Sequence, residues 1–218
     1  MKTLTHIAAG LILASSGLFA ATASADVSYN VGYTSEYYFR GILQKNSSAS
    51  AGIDYEEGGF YAGAWTADVG DGLEIDGYFG YGIETESGFT ASIGATGYYY
   101  TGQFDDKYEE LNFNFGYGMF SLEYSVGEAG YSSGASDYDF LGLTISGESG
   151  LYATFGTFGE DADGDYLELG YGMTISDIDF GVAAILTDDD LGGLNGEFDS
   201  SGSGTESEAL VFSIGYSW

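Results

Sequence analysis

From Val27 onward the odd positions Val27, Tyr29, Val31, Tyr33, Tyr37 and Phe39 are apolar, while Ser28, Asn30, Thr34, Glu36 and Arg40 mostly occupy the even face. A period of two requires a strand with one apolar and one polar side. The extent of the run is the constraint. Strands in soluble sheets average about 5–6 residues, whereas a tilted membrane strand needs about 9–11, so a two-faced run this long points to a sheet that crosses a bilayer. The pattern recurs in Leu73, Ile75, Phe79, Tyr81 and Ile83 against Glu74, Asp76, Tyr78 and Glu84. It returns in Leu111, Phe113, Phe115 and Tyr117 against Glu110, Asn112 and Asn114, and in Leu167, Leu169, Tyr171, Met173 and Ile175 against Glu168.

The last run places Leu210, Phe212, Ile214, Tyr216 and Trp218 on one side. One apolar face closed by an aromatic residue suits the final strand of a transmembrane barrel, whose girdles of aromatics sit at both membrane boundaries. These five residues also resemble the C-terminal signal that barrel-assembly machinery recognises, and are expected to serve as one. A buried last strand of a soluble sandwich is the alternative.

Breaks between runs are of two alternating kinds. Short turns are expected at 56–59, 85–88, 118–119, 147–150 and 176–177, and longer polar loops at 41–47, 68–72, 102–107, 128–136, 159–164 and 188–207. This predicts about twelve antiparallel strands in an up-and-down transmembrane β-barrel with both termini on the short-turn side, or ten if the ambiguous stretches 137–146 and 59–68 are not strands.

At the other end Lys2 precedes an apolar stretch from Ile7 to Ala20, and Ala23-Ser24-Ala25 supplies the small residues of a cleavage site. Residues 1–25 therefore read as a secretory signal peptide and 26–218 as a single barrel domain. Ser15, Ser16 and Gly17 interrupt the stretch short of the roughly 20 apolar residues that a spanning helix needs.

Removing the first 25 of the 218 residues leaves 193, with Arg40, Lys45 and Lys107 against all 34 acids, a formal charge of −31. Such a chain is not built to bind nucleic acid, whose affinity rests on Lys and Arg at phosphates. Twenty Tyr and 15 Phe in regular alternation are equally foreign to a disordered acidic segment. The absence of Pro suits a chain that is nearly all paired strand. With no Cys, an exported chain has no disulfides and must rely on ladder closure and burial. Glycines interleave with aromatics, as in Gly77-Tyr-Phe-Gly-Tyr-Gly82, where small residues relieve crowding beside rings.

The only histidine, His6, falls in the signal. Without His or Cys the mature chain cannot run His-dependent nucleophilic catalysis and lacks the usual ligands for zinc, copper or haem, so neither an enzyme nor a cofactor is expected. Asp161, Asp163 and Asp165 imitate the opening of a calcium loop, but Gly164 and Gly172 stand where the pattern fails, leaving them weak candidates for a divalent ion. The run Asp188-Asp189-Asp190 carries the same two readings, ion site or solvated turn.

Arg40 stands almost alone among acids on its face and calls for a carboxylate from another part of the chain, either as a brace or at a constriction. Glu36, Asp54, Glu56, Glu74, Asp76, Glu84, Glu110, Glu123, Glu168 and Asp179 fall on the faces assigned inward, and with Arg40 are the pore-lining candidates. Rings of acids favour cations.

Thr34-Ser-Glu-Tyr-Tyr-Phe-Arg-Gly-Ile42, Ala51-Gly-Ile-Asp-Tyr55 and Gly59-Phe-Tyr-Ala-Gly-Ala-Trp65 resemble the N-terminal signature of the TorF-type porins of the Gcw_chp family. Glu74-Ile-Asp-Gly-Tyr78, Tyr108-Glu-Glu-Leu111 and Asp165-Tyr-Leu-Glu168 resemble later blocks, while Glu36 stands where the signature usually carries Asp. The resemblance implies an outer-membrane barrel with a channel role. Together the readings predict a porin-like path for small hydrophilic solutes, leaning toward cations, in the outer membrane of a Gram-negative bacterium. Its partners would be membrane lipids, the assembly machinery, and small solutes or ions. The alternative is a non-conducting closed barrel whose acidic loops bind divalent cations or an external partner.

Overall fold

A computed structural model describes residues 25–131 and 134–218; the expected signal peptide lies outside these residues except for Ala25. Twelve antiparallel strands pair in chain order and close, β1 against β12, into one barrel. They are β1 Asp26–Phe39, β2 Ile42–Glu57, β3 Phe60–Gly70, β4 Gly72–Glu84, β5 Phe89–Tyr100, β6 Lys107–Tyr117, β7 Phe120–Tyr131, β8 Gly134–Ser146, β9 Leu151–Glu160, β10 Asp165–Ile175, β11 Ile178–Thr187 and β12 Ser207–Ser217. Among the described residues one six-residue helix, α1 Asp189–Leu194, lies in the last connection.

Alternation decides which residues face where. Phe79, Tyr81, Ile93, Leu111, Tyr117, Leu169 and Phe212 are exposed on the outer surface. Their cross-strand register stacks them into a continuous apolar belt, the surface a hydrocarbon layer requires. Away from the upper parts of β1 and β2, each barrel strand has two ladder partners along most of its length, which removes free edges that would be costly in lipid. At the seam, Tyr29 and Trp218 exchange backbone hydrogen bonds of 2.9 and 3.0 Å, and their rings stack at 5.7 Å.

The five turns at one end fall where the pattern predicts. At the other end the strands run further than expected. β3 reaches Gly70 and β4 starts at Gly72, β7 continues to Tyr131, and β9 extends to Glu160. Loss of apolar alternation marks where a strand leaves the belt, not where it ends, because the ladder needs only backbone N–H and C=O groups.

The largest departure concerns the expected loop at 41–47. β1 and β2 instead join through a two-residue turn, Arg40-Gly41, whose φ values of 48° and 82° are the positive pair that tight hairpins use. The hairpin also leaves the wall. In the register, β1 pairs with β12 from Asn30 to Thr34 and β2 pairs with β3 from Ser50 downward, so residues 35–47 pair only among themselves. Ser47, at φ 71°, marks the bend, and the β1–β2 register shifts again between Tyr37 and Tyr38. Tyr37 and Phe39, outward by alternation, are thereby turned inward. Tyr37 packs with Trp65, Ala67 and Val69, and Phe39 joins the same cluster.

Candidate functional site: the occluded lumen

The hairpin crosses the barrel to the far wall. Tyr37 meets Trp65 of β3 edge-on at 5.7 Å, Phe39 meets Tyr98 of β5 at 5.5 Å, and Arg40 at the tip reaches β6, β7 and β8. A second apolar cluster of Phe140, Tyr166 and the fully buried Leu191 of α1 receives Ile42. Asn195, the C-cap of α1, accepts from the Leu43 N–H at 2.7 Å and donates to the Gly41 carbonyl at 3.0 Å. The helix thus pins the turn from above.

Arg40 is only 3% exposed. Its guanidinium binds Glu110 through two bonds of 2.6 and 3.1 Å, Glu123 at 2.6 Å and Ser125 Oγ at 3.1 Å. The rings of Phe140 and Phe39 lie 4.3 and 4.8 Å from its central carbon. Glu110 accepts further bonds from Tyr98, Tyr138 and Asn112 at 3.1, 2.8 and 2.8 Å. A carboxylate–guanidinium pair out of water is worth holding only when its other hydrogen-bonding groups are also served, and here Tyr98, Tyr138 and Asn112 serve Glu110 while Glu123 and Ser125 serve Arg40.

Elsewhere in the lumen tyrosines take the part that cations usually play. Tyr37 donates to Glu74 at 2.9 Å, Tyr78 to Asp54, and Tyr152 to Glu168. Glycines make room for these rings. A Cβ on Gly63 would lie 2.5 Å from the Tyr78 ring, and one on Gly170 would lie 2.1 Å from that of Tyr152. Two acids are less well served: Glu74 Oε2 and Asp76 Oδ1 are buried without a hydrogen-bond partner, as is the Trp65 indole N–H. Every basic side chain among the described residues is paired, Lys45 with Asp68 and Lys107 with Glu109 completing the set.

The inward candidates separate into groups. Arg40, Glu110 and Glu123 form the cluster at the hairpin tip. Glu74 and Asp76 sit side by side on β4, both buried. Glu36 and Glu168 line a cavity of about 30 Å³ between the hairpin and the β9–β12 wall, room for a water or two and not for a solute. Asp54 and Glu56 are half-buried lower on β2, and Glu84 is exposed and Asp179 half-buried at the short-turn rim, remote from the tip. Leu210, Phe212, Ile214, Tyr216 and Trp218 all face outward, 41–57% exposed.

Asp161, Asp163 and Asp165 do not converge: among the described residues no group of three or more acidic or histidine side chains could hold a metal ion. Asp163 instead accepts from the N–H of Gly164 at 3.0 Å, and Asp161 from Ser136 at 3.4 Å. Asp188 caps α1 by accepting from Leu191 N at 3.1 Å and also takes the Asp165 N–H at 2.7 Å. Sequence reasoning missed the donors, Tyr98, Tyr138, Asn112 and Ser125, which share the inward parity of the acids, and it missed Leu191 and Asn195, which the acidic loop gave no reason to select.

Several solved barrels align with the chain. The outer-membrane protein OpdK of Pseudomonas aeruginosa matches at 14% identity and a TM-score of 0.41, covering 80% of this chain and 58% of that one. The same protein with vanillate matches at 15% and 0.40, with 80% and 57% covered. An improved structure of OccK1 (OpdK) gives 15% and 0.40, with 80% and 58% covered. The chain thus spans less than three fifths of these proteins' length. No curated protein matches the sequence. Residues 19–199 match the family described as bacterial protein of unknown function (Gcw_chp), and the chain belongs to that family.

Proposed function

We propose that the protein is an outer-membrane channel for passive diffusion of small hydrophilic solutes, held closed in its resting form by the β1–β2 hairpin. One observation carries the reading: a closed twelve-strand wall, apolar outside and lined inside by carboxylates, encloses an element that pairs with the wall only at its base. Twelve strands lie between barrels that side chains fill and those wide enough for a clear channel, so removing an inserted hairpin decides the lumen's state. Glu36, Asp54, Glu56, Glu74, Asp76, Glu110, Glu123 and Glu168 would line the path, Glu84 and Asp179 its short-turn mouth, and Arg40 would be the one fixed positive charge. The surplus of acids favours cations. The apolar belt would face lipid in a Gram-negative outer membrane, with Leu210 to Trp218 serving recognition by the assembly machinery.

The second reading is a barrel that never conducts, and the close packing of the hairpin tip favours it. A planar bilayer separates the two. Purified protein in a salt gradient should give discrete openings whose reversal potential shows cations passing more readily than anions, a preference that weakens as rising salt shortens the screening length. A silent membrane containing folded protein would leave the closed barrel; an anion preference would remove the role given to the inward acids.

A further inference from the structure

We infer that the hairpin beyond Thr34 and Ser48 is a gate with two seats: the lumenal one seen here, latched by Arg40, and a second one in the wall between β12 and β3. The inference rests on the channel reading.

The second seat is visible as an incomplete ladder. β12 pairs with β11 all the way from Tyr216 to Ser207, yet its pairing with β1 stops at Ser213. Phe212 N–H is taken by a side chain, Ser35 Oγ, at 2.9 Å, in place of a strand. On the other flank β3 runs on to Gly70 beside β4, while its pairing with β2 stops at Ala67. The wall therefore has a slot, open toward the long-loop end, at the place where residues 35–47 would stand if β1 and β2 went straight on.

Those residues fit the slot in register and in parity. Extending Thr34 opposite Ser213 by single steps sets Glu36 opposite Val211, which faces the lumen, and Tyr37 opposite Leu210, which faces out. Tyr37 and Phe39 would then continue the outward apolar row of Val27 to Tyr33, and Glu36 would continue the inward polar row. This is the alternation that the sequence carries through Phe39 and that the lumenal seat violates. A strand whose pattern matches a position it does not occupy, facing a ladder that lacks a strand, is the mark of an element with two arrangements.

The bend needed to exchange them is localised. Thr34 and Ser48 are paired and Glu36 and Asn46 are paired, but Ser35 and Ser47 are not, and Ser47 holds a positive φ. The latch is equally local: Arg40 with Glu110 and Glu123, and Asn195 on the Gly41 carbonyl. Swinging out would exchange these bonds for strand pairing with β12 and β3 and would clear the lumen.

The chain's lack of cysteine makes a crosslinking test clean. In the variant Tyr37→Cys/Leu210→Cys, one position lies inside the barrel and the other outside, so a disulfide can form only when β1 occupies the wall. Tyr33→Cys/Ile214→Cys, neighbours in the existing ladder, serves as the positive control. In lipid vesicles under mild oxidant, the 37–210 bond should form, and at least about tenfold faster when Arg40→Gln removes the latch. The crosslinked barrel should conduct steadily in a bilayer, and reductant should return it to brief openings. If the control pair crosslinks while the 37–210 pair does not in either background, the second seat does not exist, whatever current the wild type carries. A 37–210 bond in a barrel that stays silent would keep the two-seat hairpin and overturn the channel reading instead.

Discussion

Three basic residues among those described cannot neutralise the buried acids with cations, and at the scale of single residues the lumen solves this with phenols. Tyr37, Tyr78, Tyr98, Tyr138 and Tyr152 each donate to an inward carboxylate. Glu110, bonded at both oxygens, and Asp76, with Oδ1 buried and unpartnered, predict opposite outcomes for one chemical change. Glu110→Gln, by breaking the buried pair and leaving Arg40 only Glu123, should destabilise the barrel by up to about 3 kcal/mol. Asp76→Asn should stabilise it by about 1 kcal/mol or more, since Asp76 Oδ1 is buried with no partner. Urea unfolding in vesicles measures both, and equal signs would show that the two acids share one environment. The glycines beneath the rings are just as specific. Gly63→Ala would drive a methyl against the Tyr78 ring and off its bond to Asp54, an overpacking cost of about 1–3 kcal/mol by the same assay. The inward parity of the acids could be read from the pattern of two; which tyrosine meets which acid could not, because that depends on ring tilt across neighbouring strands.

Among the elements, the strands were the legible part and the hairpin was not. Long alternating runs dictate strand, face and short turns, and the five turns at one end follow from them. At residues 35–47 the local pattern asks for wall, and a tertiary competition overrides it: a buried ion pair, two ring clusters and the α1 cap outweigh a ladder with β12 and β3. A single sequence carries no local signal of such a contest. The polar stretch from Asp188 was likewise legible as a loop but not as a cap that lowers Leu191 into the barrel mouth. Beyond α1, Asp199 orders the loop by accepting from Ser201 Oγ at 2.6 Å, Ser201 N at 2.7 Å and Ser203 N at 3.0 Å. Those bonds, the Ser201 hydroxyl first, hold its carboxyl below the usual range. A depressed acid stabilises its folded surroundings above its unfolded pKa and loses that contribution as pH falls through the folded value. The loop should therefore keep its order from neutral pH down into the usual carboxylate range and loosen only below it. The amide resonances of Ser201 and Ser203 should report this, and a transition near neutral pH would contradict it.

For the molecule as a whole, closure of twelve strands gives a wall without free edges except along one slot, and the missing piece of wall lies inside. The same residues that leave the slot unfilled fill the lumen, so in the proposed channel permeability and wall completeness would be linked through one hairpin. The class of fold, the outward belt and the inward acids were all readable from alternation, but the state of the lumen was not, because it turns on where thirteen residues sit and not on what they are. Joining Thr34 to Ser48 through Asn-Gly, in place of Ser35–Ser47, removes those residues while keeping the ladders of β1 with β12 below Thr34 and of β2 with β3 below Ser50. The measurement is the bilayer current of that shortened barrel beside the intact one. A lumen closed by its own hairpin predicts steady, cation-selective conductance in the shortened protein and rare openings in the intact one; a shortened barrel that folds and stays silent would contradict the account at its centre.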